Sequence, residues 1–196
     1  MKIEIVFLNA SIKLMNLIIF QLFDYSRNLV YLIHHEKVSK MEFTKQIAKH
    51  LREVYFGVNW TWSNMKDNLA DVTWQEATTK VHSLNTIAVL VYHTNYFIDA
   101  VTTVLRGGPL EAKDMYSFDC PPILSQGDWQ ILIDKTLANA ETFATLIEQL
   151  SDERLEEIFV EERYGSYYRN LNGIIEHTHY HLGQIAVIKK IVREMK

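Results

Sequence analysis

The sequence predicts an all-α protein: a bundle of four long helices with one long crossover, and an extension before it. Three observations predict this. Apolar residues recur at spacings of three and four along four separate stretches, the period of a helix with one buried face. The alternation of a half-buried strand is nearly absent after residue 41. Seven glycines and three prolines in 196 residues leave room for long uninterrupted elements.

Residues 3–33 are rich in Leu, Ile and Phe, but the longest uncharged run, 14–23, is about half of the roughly 20 apolar residues a membrane span needs. No small-residue cleavage site follows, so a secretory signal is not expected. Residues 1–40 are therefore expected to be an N-terminal extension. Either they form an extra amphipathic helix, with or without a few residues of strand before it, or the natural start is Met41. The bundle is assigned to residues 41–196.

The first long helix is predicted over residues 44–69, where Ile47, Leu51, Val54, Tyr55, Val58 and Trp62 keep one face apolar. Residues 71–82 are polar and broken. The second helix spans 84–105, with Leu90, Val91, Phe97, Ile98 and Val101 on its stripe, and Gly107-Gly108-Pro109 stops it. Residues 111–125 make a connection longer than bundles usually need, so it either crosses one end of the bundle or lines a site. Ser125 is the expected N-cap of the third helix, with Asp128 as the partner of a capping box. That helix carries the cleanest stripe, from Trp129 through Phe143 to Leu150. A short helix at 151–155 and a turn at Tyr164-Gly165-Ser166 precede the last long helix, from Asn170 onward, which closes on Lys189, Lys190, Arg193 and Lys196.

The bulk properties narrow the function. A formal charge of −4 and the lack of a basic run argue against a nucleic-acid surface. A single cysteine, Cys120, excludes an internal disulfide framework and fits a reducing compartment, so a cytoplasmic protein is expected.

Chemistry concentrates near the C-terminus. Glu176-His177-Thr178-His179-Tyr180-His181-Leu182-Gly183-Gln184 holds three of the eight histidines within five residues. On a helix, His177 and His181 stand one turn apart on one face, where both imidazoles can grip one ion, and His179 turns away. Catalytic zinc usually has three protein ligands and an open position. His34, His35, His50, His82 and His93 are the candidates for the third, and His93 is the best because it lies inside the second helix between apolar turns. On spacing alone a metal site and a pair of ordinary boundary histidines are about equally supported. The residue after His177 is Thr178, so the general base of the His-Glu-x-x-His protease motif is missing. Gln184, three residues past His181, is placed to hydrogen-bond a ligand imidazole or a metal-bound water, or to bridge helices. Tyr96 reads as a core aromatic or a donor to a substrate oxygen.

The stretch from His177 to Ile185 resembles the last-helix signature of the DinB-like (DinB/YfiT) family, and Thr86 to His93 is similar to that family's second-helix motif. Gly107-Gly108-Pro109, Ser117-Phe118-Asp119 and Asp128-Trp129 resemble a subgroup of small bacterial members. The resemblance covers residues 41–196. It implies a four-helix bundle, a site for a divalent metal (nickel or zinc) held by His93, His177 and His181, frequent homodimers, and relatives that are transferases or isomerases using low-molecular-weight thiols. The function expected first is thus a metal-dependent transferase acting on a small molecule with such a thiol. The alternatives are a metal-dependent hydrolase and a non-catalytic, stress-related binding bundle. No further catalytic residue is assigned. Cys120 lies in a loop with no activating His or Lys beside it and is given no role.

Overall fold

The structure is a computed structural model that describes residues 42–195 and, before them, Gln21 alone. Apart from Gln21, the expected N-terminal extension, with His34 and His35, lies outside the described residues. Among those described there is no β-strand, only an isolated antiparallel bridge between Ile158 and Ser166. The helices are α1 (Phe43–Phe56), α2 (Met65–Leu69), α3 (Trp74–Thr78), α4 (Ile87–Leu105), α5 (Gln126–Glu148) and α6 (Tyr167–Glu194). Short 3-10 turns sit at Asp114–Tyr116, Asp152–Glu156 and Glu162–Tyr164.

The four long helices close into a ring: α1 packs on α5 and α6, and α4 packs on α5 and α6. Cross-helix pairs fix their directions. Cys120, just before α5, donates to the Ala88 carbonyl at the start of α4 (3.8 Å), and further along Asn139 donates to Asn95 (3.0 Å) and Asp99 (2.6 Å), so α4 and α5 run parallel. Arg52 reaches back from α1 to Glu141 and Glu148 on α5. Parallel neighbours cannot be joined by a tight loop, so residues 106–125 run the length of the bundle as a crossover.

Helix starts follow capping chemistry. Thr86, Ser125 and Ser166 each accept from the backbone N–H three residues on. Thr73 and Glu76 complete a capping box for α3. At α5 the Asp128 carboxylate also accepts from the Leu124 N–H at 3.0 Å.

The predicted 44–69 helix is corrected. It stops at Phe56, where Gly57 takes φ +83, and a loop separates it from α2. The buried Asn59 organises that loop, donating to the Glu53 and Ser63 carbonyls and accepting from Thr61. Val58 and Trp62, placed on the core face by periodicity, are 67% and 84% exposed, and Trp60 is 97% exposed. The other boundaries move by a few residues: α4 begins at Ile87, and α6 begins at Tyr167 because Ser166 supplies the cap.

Trp129 is the largest wholly buried side chain, and its indole N–H donates to the Val72 carbonyl at 2.8 Å, tying α5 to the segment before α3. Trp129→Phe keeps the aromatic but leaves a cavity and a buried carbonyl without its donor. It is expected to destabilise by about 2–3 kcal/mol in urea unfolding, with helix content unchanged. A loss below about 0.5 kcal/mol would show that this bond contributes nothing.

Candidate metal centre

Helices α4 and α6 bring three imidazoles to one point. His93 projects from the second turn of α4, and His177 and His181 project one turn apart from the middle of α6. Nε2 of His177 lies 2.9 Å from Nε2 of His93 and 3.0 Å from Nε2 of His181. The ligand atoms of all three lie within 4.8 Å of one another, and no other such group of three or more occurs among the described residues. His93 and His181 are buried and His177 is half-buried.

The outer nitrogens are anchored. Nδ1 of His181 is 2.7 Å from Oε1 of Gln184, to which it donates. Nδ1 of His93 is 2.9 Å from Oγ of Ser117. The Ser117 hydroxyl proton is already directed to the Asp114 carbonyl at 2.6 Å, so His93 must be the donor here. Both rings therefore carry their proton on Nδ1 and turn a lone pair inward from Nε2. His177 can offer at most one proton to the two lone pairs that face its own Nε2. Protein groups alone leave the centre one hydrogen short. A cation accepts all three lone pairs at once. Ligand nitrogens at 2.0–2.1 Å in a tetrahedral arrangement stand about 3.3 Å apart, close to the spacings observed. The residues fit a divalent metal.

The surroundings keep the rings neutral, as ligation requires. Burial pushes His177 down to about 4, and charge on His181 or His93 pushes the same way, opposed by Asp114. Burial, then His181, lowers His93 against the influence of Ser117 and Asp114. Burial lowers His181, and Gln184 opposes it. Phe118 stacks on His93 with centroids 4.0 Å apart and planes at 14°, and Phe97 meets both His93 and His177 edge-on. A cleft of about 610 Å³ runs from His177 along α6, walled by Phe97, Val101, Ile174 and Phe159.

The remaining histidines lie elsewhere. His179 faces His50, with ring centroids 5.8 Å apart, and His82 is exposed at φ +47. Tyr96 does not face the centre: its hydroxyl donates to the Lys113 carbonyl and accepts from the Lys113 N–H, so it fastens the crossover. Cys120 is half-buried, and burial raises its thiol to about 11. Sequence reasoning found the three histidines and Gln184 but gave no role to Ser117 or Phe118, both on the crossover.

A family model described as DinB superfamily matches residues 58–185. No curated protein and no solved structure matches the chain.

Because His177 sits at about 4 when folded and 6.5 otherwise, the unfolded chain takes up its proton first as pH falls. Stability is fully present above about pH 6.5 and declines between there and about 4. With a chelator present, the urea midpoint is expected to drop from pH 7.5 to pH 5, and to drop less in His177→Gln. Equal slopes in the two proteins would contradict this origin.

Proposed function

Since the chain belongs to the DinB superfamily, we propose that it is a divalent-metal-dependent enzyme in which His93, His177 and His181 hold the ion, and that it transfers a group to or from a low-molecular-weight thiol. The observation that carries the reading is the convergence of three neutral imidazoles, their Nε2 atoms directed to one point, beside a cleft that reaches His177. A divalent ion at that point supplies Lewis acidity and favours the ionised form of a thiol or water bound to it.

The protein's own groups set the conditions. Ser117 and Gln184 hold two rings in the tautomer that ligates, and Phe118 and Phe97 shield the His93 side from water. Among the described residues no cysteine, aspartate or glutamate joins the three-histidine group, which favours an open over a closed structural site. Cys120, with its thiol held protonated near neutral pH, takes no part as nucleophile. Nickel or zinc is proposed as the metal on the strength of the resemblance, since all-imidazole sites accept several divalent ions. A homodimer in the cytoplasm belongs to the same reading. No helix among the described residues is long and apolar enough to cross a membrane.

Protein purified without a His tag is expected to hold about one divalent ion per chain, and His181→Ala to lose it. Turnover is expected to need both metal and added thiol, and to survive Cys120→Ser. Ester or amide turnover without thiol would favour a hydrolase instead. Full activity in metal-free protein would remove both, and inactivity with every metal would leave a binding bundle. Ser117→Ala should keep the fold and weaken metal affinity by about 10–100-fold, read by competition with a chromogenic chelator. Unchanged affinity would show that the serine does not orient His93.

A further inference from the structure

Gly173 lies well inside α6, where glycine is among the least favourable residues for a helix. Neither usual reason for a glycine applies. Its φ is not positive, and a Cβ built there would meet no heavy atom within 4 Å, so no neighbouring element packs close against it. What lies over it is the cleft that ends at His177. The missing side chain widens the floor of that cleft and bares helix backbone to it.

Charge is distributed along the cleft. At the histidine end are Glu176, next to His177, and Asp114, whose charge is felt by His93 and His177. At the other end are Arg163 and Arg169. Arg163 pairs with Glu161. Arg169 has no carboxylate partner among the described residues: its guanidinium donates once, to the Tyr164 carbonyl at 3.0 Å. The rest of its planar fork is free to take a carboxylate in two-point fashion. It stands eight residues, about 12 Å along the helix axis, before His177, and Gly173 lies midway. The walls between are apolar, formed by Phe97, Val101, Leu110 and Ile174.

We propose that this cleft is the organic-substrate pocket of the three-histidine site, and that it takes an elongated molecule with an apolar middle lying over Gly173 and a carboxylate held by Arg169 at the end far from the histidines. The inference rests on the metal-dependent reading above, and deepens it by assigning the substrate class and the residue that selects it.

The test uses cobalt(II)-loaded full-length protein and two probes of equal chain length, suberate monohydroxamate and octanohydroxamate. Both carry a metal-gripping hydroxamate, and only the first ends in a carboxylate. Affinity is read from the change in the cobalt absorption bands, and cobalt content is measured separately. Suberate monohydroxamate is expected to bind about tenfold more tightly or better. Arg169→Gln should abolish that preference while leaving octanohydroxamate affinity unchanged. Gly173→Leu, which adds a better helix former, should weaken both probes at least about tenfold with cobalt content unaltered. Equal affinity for the two probes in wild type, a preference that survives Arg169→Gln, or undiminished binding of both by Gly173→Leu would each overturn the proposal with the metal reading intact. Failure to take up cobalt would overturn both.

Discussion

Three imidazoles whose Nε2 atoms converge on one point share one proton too few to satisfy one another, and most of the local architecture follows from holding them there. Each ring is kept neutral by burial and kept in its tautomer by a partner on the outer nitrogen, at least for His93 and His181. Such an arrangement is costly without a cation, because at least one buried acceptor loses its hydration and gains no donor. The bundle tolerates it because the helices that carry the rings are packed on both flanks, α4 and α6 each against α5 or α1 as well as against each other.

The parallel course of α4 and α5 has a direct chemical consequence. The connection between them must run the length of the bundle, and on its way it delivers Ser117 to His93 and lays Phe118 over the same ring. Tyr96 clamps the crossover at Lys113 from the α4 side, which fixes the turn that precedes Ser117. A loop that would be an idle tether in an up-down-up-down bundle is here part of the centre.

How far this was legible in sequence depended on whether a residue's role was periodic. His177, His181 and Gln184 lie on one helix, so spacings of four and three placed them relative to each other before any tertiary structure was known. His93 followed from its apolar neighbours on a second helix. Ser117 and Phe118 were not legible as site residues, because a loop has no period and its path depends on two helices far apart in sequence. The break after Phe56 was missed for the opposite reason: Val58 and Trp62 fit the helical period by chance, and the signal that mattered was Gly57 followed by Asn59. A side chain that hydrogen-bonds its neighbours' backbone competes with the helix locally, whatever the hydrophobic pattern suggests.

The separation of the ligands along the chain also sets an order of events during synthesis. His93 and His177 are 84 residues apart, which at ordinary elongation rates is roughly 4–17 s of translation. Throughout that interval α4 can be made, with its buried-to-be histidine, while no second ligand exists. Under the proposed metal-dependent reading, ion capture during synthesis would therefore come only after the last helix has been made, and would lock a bundle already assembled rather than guide its first steps.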